Sequence, residues 1–285
     1  MPYVRHKLGK TFYIAKGKGN RIPLVFLHGG PGGRHDWNSA ILKLGKRRRV
    51  FLYDQIGGGR SSPTQEKYWN IETFVSELDT LIKKWKLTRF HLGGSSWGTT
   101  LALEYYLRKK GKGIQSLIFS SPMFSANDWK RDATQLISKL PTKIKKVIKG
   151  CHELGATDAK VYQEAMMAFY LKHVLRDEKK LKALMELFAS GNNTGQKIYE
   201  HMWGPSEFEP TGTLKKYNRV EALRKIRVPT LFMCGEFDEA TPRTVKKYSK
   251  LVKGSDVKIL KGCSHASVQE QPALVLKIVD SFLVE

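Results

Sequence analysis

Three residues whose side chains can together cut an acyl bond occur in order along the chain. Ser96 lies in the G-x-S-x-G sequence Gly94 to Gly98, Asp238 follows in GEFD, and His265 comes last in CSH. A serine hydroxyl is a poor nucleophile at neutral pH, and it needs a base whose tautomer is fixed by a carboxylate. We therefore predict Ser96 as the nucleophile, His265 as the general base and Asp238 as the residue that orients the base.

Each assignment has rivals nearby or elsewhere in the sequence. Ser95 is out of register with the glycines of the motif, and Glu236 and Glu239 flank Asp238. The spacing after the preceding apolar segment favours Asp238. None of the other seven histidines follows a late apolar segment in the required order of nucleophile, acid and histidine. Because G-x-S-x-G also arises by chance in glycine-rich turns, the assignment depends on all three residues together.

A glycine-rich loop early in the chain could supply the backbone donors that this chemistry needs. An oxyanion hole takes one N–H from the residue after the nucleophile, here Trp97, and one from a loop after an early strand. The segment HGGPGG, residues 28–33, follows the apolar run IPLVFL, and we predict Gly30 as the second donor. A phosphate-binding loop is a poorer interpretation because the G-x-G-x-x-G spacing and a G-K-[ST] ending are both missing.

Apolar runs and helical patterns alternate along most of the chain and must position these residues. The runs predicted as buried parallel strands cover residues 22–27, 50–53, 90–92, 117–119, 230–233 and 257–260. The predicted core helices cover residues 71–85, 99–108, 244–251 and 273–283. This alternation predicts a doubly wound, mostly parallel α/β sheet. With the order of the three residues, it is typical of the α/β-hydrolase fold.

The alternation stops in the middle of the chain. Residues 122–223 show helical patterns, for instance over 158–175 and 178–188, with hardly any strand signal. We predict an α/β-hydrolase core formed by residues 1–121 and 224–285, with residues 122–223 inserted as a helical cap, or lid. A segment at this point in the chain can cover the carboxyl ends of the strands, where ligands bind in such sheets.

Composition excludes several other classes of protein. The 285 residues are 41% hydrophobic and contain no uncharged apolar run that could cross a bilayer, and we expect a soluble protein with no secretory signal. Three widely spaced cysteines suggest neither a disulfide framework nor a zinc site and favour the cytoplasm, and the chemistry needs no cofactor. The net charge of +24 comes from basic residues spread over predicted turns without a binding motif, which argues against specific nucleic-acid recognition. Oligomeric state and the reason for the basic surface stay open.

Five motifs in this order resemble the proline iminopeptidase family of α/β-hydrolases. They are HGGPGG at 28–33, DQIGGGRS at 54–61, GGSSWG at 93–98, GEFDEATP at 235–242 and CSH at 263–265. The segment MWGPSEF at 202–208 is similar to the cap motif of the branch that includes the tricorn-interacting aminopeptidase. The resemblance implies release of the first residue from short peptides, amino-acid amides or arylamides with a free amino group. It also implies that Glu207 and Glu239 bind the substrate ammonium.

The chain departs from the family pattern at two positions. Thr99 stands where many members have a glycine, and Gly58 replaces a frequent cysteine. The lysine-rich cap leaves a preference for proline undecided, and we expect a broader aminopeptidase or amidase. Two alternatives stay open at this point. One is an esterase or other acyl hydrolase that uses the same three residues, and the other is a hydrolase-fold binding protein without catalysis.

Overall fold

One sheet of eight described strands organises the molecule. The computed structural model describes residues 2–189 and 194–283. The strands are β1 (Tyr3–His6), β2 (Gly9–Lys16), β3 (Arg21–Leu27), β4 (Arg48–Tyr53), β5 (Phe90–Ser95), β6 (Ile114–Ser120), β7 (Thr230–Gly235) and β8 (Asp256–Leu260). Their order across the sheet is β1-β2-β4-β3-β5-β6-β7-β8. Strands β3 to β8 are parallel, whereas β1 and β2 pair in an antiparallel manner.

The central strands are apolar throughout because both faces of the sheet are covered. Successive side chains of a strand point to opposite faces. In β3, Val25 and Leu27 belong to one buried cluster, and Leu24 and Phe26 belong to another. The doubly wound, mostly parallel sheet predicted from the sequence is therefore confirmed. The β1–β2 pair was not predicted, because its charged and half-exposed residues lack the apolar run of a buried strand.

The core helices pack against the sheet with the apolar faces that their sequences predict. The described α-helices are α1 (Ile71–Lys84), α2 (Trp97–Lys109), α3 (Ala126–Ser138), α4 (Thr142–Leu154), α5 (Lys160–His173), α6 (Glu178–Ala189), α7 (Thr194–Met202), α8 (Pro242–Ser249), α9 (Ser267–Glu270) and α10 (Pro272–Phe282), and 3-10 helices cover His35–Lys46, Glu66–Tyr68 and Glu221–Lys225. Helix α1 shows how the sequence determines one of them. The Asn70 side chain accepts from Thr73 N at 3.0 Å at its start, and Phe74, Leu78 and Leu81 are buried on one face.

Helices α3 to α7 all lie between β6 and β7 in the chain. Helices α3 to α6 contribute to a separate apolar cluster that includes Ile148, Tyr162, Phe169 and Phe208. Helix α7 instead packs into the main core cluster through Ile198. Asn192 and Asn193, which the sequence predicts in a loop, lie outside the described residues. Among the described helices, none is long and apolar enough to cross a membrane.

The parallel strands bring distant parts of the sequence to one edge. Ser96 directly follows β5, Asp238 follows β7, and His265 follows β8. Since the carboxyl ends of parallel strands meet at the same edge, the three residues lie on one side of the sheet.

Candidate active site

Ser96 lies in a sharp turn between β5 and α2. Its backbone has φ of 54° and ψ of −124°, a conformation that residues other than glycine rarely adopt. The turn brings Gly94 against Gly98, because a Cβ added at Gly94 would lie 2.5 Å from the Gly98 carbonyl carbon. Ser96 N donates to Ser120 O at 2.9 Å and so ties the turn to the neighbouring strand. This is the geometry of a nucleophile elbow, which holds a serine hydroxyl at a helix N-terminus.

Asp238 and His265 form a direct pair. Nδ1 of His265 lies 2.8 Å from Oδ1 of Asp238, which also accepts from Ala240 N at 2.8 Å. The other carboxylate oxygen accepts from Ser121 Oγ at 2.6 Å and from Gly235 N at 3.2 Å. The buried carboxylate thus contacts four donors, which fix its orientation. Asp238 is thus suited to hold the imidazole with its proton on Nδ1 and its Nε2 free to act as a base.

Nearby carboxylates raise the pKa of His265. Burial by itself would lower the pKa of His265, but the carboxylates of Asp238, Glu207 and Glu270 outweigh that effect and raise the pKa above its ordinary value. The ring also packs edge-on against Trp129, with 5.6 Å between the ring centroids. Trp129, on α3, was not singled out from the sequence. Its side chain and the carboxylates enclose the His265 ring.

Ser96 follows β5 and His265 follows β8, and β6 and β7 lie between these strands in the sheet. The two residues are not hydrogen-bonded to each other in the described part of the chain. Ser121 lies between them in the order of the strands. It follows β6, whose Ser120 pairs with Ser95 next to the elbow, and its Oγ also lies 3.2 Å from His265 O. Such a catalytic hydrogen bond is often long or absent before substrate binds, so the arrangement is compatible with proton transfer from Ser96 to His265.

The HGGPGG loop lies against the elbow. A Cβ added at Gly29 would lie 3.2 Å from the Ser96 Cβ, so only glycine allows this approach without displacement. Gly30 has φ of +112° and follows directly. Within the described residues, the backbone N–H groups of Gly30 and Trp97 have no hydrogen-bond acceptor. Both donors are therefore available for a ligand near Ser96, which is what an oxyanion hole requires.

A buried histidine holds this loop in place. Burial lowers the pKa of His28 to about 4, so its ring is neutral at physiological pH. His28 Nε2 accepts from Gln55 N at 3.0 Å, which leaves Nδ1–H to donate to Gly29 O at 2.7 Å. Gln55 Oε1 in turn accepts from Trp97 Nε1 at 2.8 Å. The Trp97 indole belongs to the core, where it packs on Phe74, and its contribution to a site is its backbone N–H.

The two departures from the family pattern have structural explanations. A Cβ added at Gly58 would lie 2.6 Å from Gly33 O, so a side chain at this position would displace the HGGPGG loop. Thr99 Oγ1 donates to Ser96 O at 2.7 Å and accepts from Met123 N at 3.2 Å. Thr99 thus connects the elbow to the segment that begins the insertion, which is a role that glycine lacks.

Glu239 is a buried acid without a donor. The residue is 1% exposed, and within the described residues neither carboxylate oxygen has a hydrogen-bond partner. Oε1 lies 3.8 Å from His265 Nδ1. Burial raises the pKa of Glu239 well above its ordinary value, and the nearby charges of Glu207 and Asp238 raise it further. An unsatisfied carboxyl in such a place is costly, and a cationic ligand would relieve the cost.

The main chain of Glu207 is held from three sides. Its carbonyl oxygen accepts from Trp129 Nε1 at 2.8 Å and from Trp203 Nε1 at 3.2 Å, and its N–H donates to Tyr170 OH at 3.1 Å. The Trp129 and Trp203 rings also meet edge-to-face with their centroids 5.8 Å apart. These contacts fix the main chain of Glu207, although the local sequence does not predict them.

The two glutamates and His265 form one electrostatic cluster. Burial raises the pKa of Glu207, while the charge of His265 and a hydrogen bond with the Tyr199 side chain lower it. Glu207 in turn raises the pKa values of both His265 and Glu239. The structure thus brings together Glu207 and Glu239, which the sequence separates by 32 positions.

A cavity of about 850 Å³ lies beside this cluster, between the core and the insertion. Gly30 and Glu207 both line it, so it connects the glycine-rich loop with the acidic cluster. Much of the remaining wall is apolar and comes from Trp37, Met166, Tyr170, Val174, Leu181, Leu184, Met185 and Tyr199. A space of this size and character holds a small molecule or a short peptide.

Comparisons with known proteins identify the family and the fold. Residues 22–272 match the family described as the alpha/beta hydrolase fold. The proline iminopeptidase of Heyndrickxia coagulans is 38% identical over 266 residues, which are 93% of this chain and 91% of that protein. The crystal structure of VinJ has a TM-score of 0.91 at 30% identity, covering 99% of this chain and 97% of that one. The proline iminopeptidase of Mycobacterium smegmatis has a TM-score of 0.89 at 27% identity, covering 99% and 96%.

Proposed function

This chain belongs to the proline iminopeptidase family of α/β-hydrolases, and we propose that Ser96, His265 and Asp238 make it a serine aminopeptidase that acts through an acyl-enzyme. The chain is an enzyme of the prolyl aminopeptidase type, as its relatives establish. Its substrates in this proposal are short peptides, amino-acid amides or arylamides with a free amino group, and the first residue is proline or another, often apolar, residue.

The proposed reaction passes one proton through His265 in acylation and one in deacylation. Ser96 Oγ attacks the scissile carbonyl carbon while His265 Nε2 takes the hydroxyl proton, and Asp238 stabilises the resulting imidazolium. The N–H groups of Gly30 and Trp97 bind the oxyanion. Collapse breaks the C–N bond, and His265 gives its proton to the leaving amine. Water then attacks the acyl-enzyme with the same base, which releases the amino acid and restores the serine.

The donorless carboxyl of Glu239 is the observation that most supports aminopeptidase activity. A substrate ammonium between Glu239 and Glu207 would supply the missing donors and would place positive charge where two acids meet. Because Glu239 lies 3.8 Å from His265 Nδ1, an amine bound there is close to the catalytic base. The short distance between this ammonium site and His265 leaves room for one residue between the amine and the scissile carbonyl. The site therefore favours removal of a single residue.

We further propose that residues 122–223 act as a cap over the core formed by residues 1–121 and 224–285. Support comes from the separate apolar cluster of α3 to α6 and from Glu207, which the insertion contributes to the cavity. A cytoplasmic location is also part of the proposal. It is consistent with three cysteines that are all free, two of them buried.

Hydrolysis of matched substrates tests the proposal. We expect wild type to cleave prolyl and alanyl arylamides and to lose that activity when the amino group is acetylated. Glu207→Gln and Glu239→Gln should each raise KM for the free amine by at least about tenfold, which corresponds to loss of about one charge-assisted hydrogen bond. Glu236→Gln is the matched control, because Glu236 is exposed and accepts from Gly262 N at 3.0 Å.

A simple aryl ester separates this proposal from its main alternative. Ester hydrolysis requires the nucleophile and the oxyanion hole but no ammonium site. If the enzyme cleaves only the ester, and neither glutamine variant affects the rate, the same three residues serve an esterase and the aminopeptidase proposal is wrong.

A further inference from the structure

The loops that lead into the six parallel strands gather cations that are distant in the sequence. In a parallel sheet all these loops lie at one edge, opposite to the edge that carries the candidate active site. Each loop region has an exposed lysine. In spatial order across β4, β3, β5, β6, β7 and β8, these are Lys46, Lys18, Lys86, Lys110, Lys225 and Lys253. We call these six residues the basal row.

Backbone contacts join neighbouring loops at three of the five steps along the basal row. A Cβ added at Gly19, beside Lys18, would overlap the carbonyl oxygen of Arg47. Phe90 N, at the start of β5, donates to Gly113 O at 3.0 Å, just before β6. Leu117 N in β6 donates to Pro229 O at 3.0 Å, just before β7. Since neighbouring strands are about 4.8 Å apart, six of them give a row roughly 24 Å long.

The basal row carries uncompensated positive charge. In the described part of the chain, none of its six lysines forms an ion pair with a carboxylate. Two nearby acids are already engaged by other cations. Asp79 pairs with Lys83 and Lys109, and Glu221 pairs with an arginine. Asp256, at the start of β8, is an exposed acid on this edge. The local balance is nevertheless strongly positive.

Charge is separated between the two edges of the sheet. The acidic cluster of Glu207, Asp238 and Glu239 lies at the carboxyl ends of the strands, whereas the basal row lies at their amino ends. The basal row therefore lies away from the cavity. A partner bound there would leave the active site open.

We propose that the basal row binds double-helical nucleic acid through its phosphate backbone, without reading its sequence. A duplex carries about one charge per 1.7 Å, so a row roughly 24 Å long faces about seven base pairs. The exposed large apolar residues in the described part of the chain are Leu154, Val161, Phe237 and Leu274, and none belongs to a loop that leads into a strand. The row therefore lacks both a stacking platform for single strands and an apolar anchor for a membrane.

Fluorescence anisotropy with a labelled DNA duplex of mixed sequence tests the proposal. Six phosphate contacts predict a slope of about −5 for log affinity against log salt, and a loss of about a thousandfold between roughly 50 and 200 mM salt. The triple variant Lys18→Gln/Lys110→Gln/Lys225→Gln should reduce the slope by roughly 3 and the loss to about fortyfold. The control Lys139→Gln/Lys143→Gln/Lys146→Gln makes the same charge change on exposed residues of the insertion and should leave the slope unchanged.

Three results would overturn the proposal. The first is absence of duplex binding by wild type at low salt. The second is an equal effect of the two triple variants, which would mean a diffuse field rather than a site. The third is binding of phosphatidylserine vesicles without binding of the duplex, which would identify a membrane-facing surface. Arylamide hydrolysis by both variants should equal that of wild type, which shows that they are folded and keeps this test independent of the proposed catalytic function.

Discussion

Ser121 Oγ lies 2.6 Å from Oδ2 of Asp238, on the side of the carboxylate opposite to His265. Ser121 has φ of 51°, a backbone conformation rarely adopted by residues other than glycine, and its N–H donates to Met233 O at 2.7 Å. The sheet thus holds this hydroxyl in a fixed place. Ser121 is a positioning residue for the acid, because it contacts the carboxylate rather than the reacting atoms.

Removing that hydroxyl should reduce catalysis. We expect Ser121→Ala to lower kcat/KM by about tenfold to a hundredfold, the equivalent of one hydrogen bond to a charged group. The less stabilised carboxylate should also raise the pKa of His265, which moves the acidic limb of the pH–rate profile to higher pH. Ser120→Ala is the matched control, since the Ser120 Oγ is buried without a hydrogen-bond partner in the described part of the chain. A Ser121→Ala profile identical to that of Ser120→Ala would show that Ser121 does not position the acid.

The acidic limb of the pH–rate profile should move to lower pH when Glu207 is neutralised. Glu207 helps to raise the pKa of His265, and a raised pKa means that the base is lost to protonation sooner as pH falls. In Glu207→Gln that pKa should be lower, so hydrolysis of an uncharged aryl ester should persist to lower pH. Profiles of kcat/KM between about pH 5 and pH 9 measure the shift, with Glu236→Gln as the control. An unmoved limb would contradict the electrostatic contact between Glu207 and the base.

Glu77 should make stability depend on pH. It is buried beneath the DQIGGGRS loop, where it accepts from Thr11 Oγ1 and from Ile56 N at 2.9 Å. Burial raises its pKa from 4.5 to about 8, against the lowering effect of these hydrogen bonds. The folded state therefore prefers the protonated acid, and the free energy of unfolding should fall as pH rises from about 4.5 towards 8. Glu77→Gln should lose this part of the dependence in urea unfolding at several pH values, and equal slopes for both proteins would refute the prediction.

Two glycines in helices should respond oppositely to alanine. A Cβ at Gly98 would overlap Leu27 O and lie 2.7 Å from His28 O, so Gly98→Ala should destabilise the fold by several kcal/mol, as overpacking against rigid backbone does. At Gly150, on α4, nothing lies within 4 Å of the added Cβ, so Gly150→Ala should stabilise by about 0.5–1 kcal/mol. Thermal unfolding of the two variants beside wild type gives the comparison. A fall in Tm for Gly150→Ala would contradict it.

Residues whose structural context depends on neighbouring positions in the chain were predictable from the sequence. The strand–turn–helix around Ser96 was identified because an apolar run, two glycines and a helical pattern follow one another. The antiparallel pair β1 and β2 was missed for the opposite reason, since its exposed, charged residues resemble a surface loop. Helix bounds agree within a few residues because amphipathic spacing is local, as in α1.

Residues defined by long-range contacts were not predictable from the local pattern. Ser121 is 117 positions away from Asp238, and Trp129 is 78 positions away from Glu207, whose carbonyl it binds. No spacing rule links such pairs, because the sheet and the insertion create their proximity. The gathering of lysines at one edge has the same origin. Turn residues that are scattered in the sequence become neighbours when every strand runs in the same direction.

The most direct test of the central claim is whether Ser96 is the nucleophile of an aminopeptidase reaction. Rates of prolyl arylamide hydrolysis are compared for wild type and Ser96→Ala, and the wild-type protein is treated with a fluorophosphonate and digested for mass analysis. We predict a loss of about 10⁵-fold or more in the variant without a change in Tm, and a single adduct on the peptide that contains Ser96. Comparable hydrolysis by Ser96→Ala, or an adduct on another serine, would contradict the account.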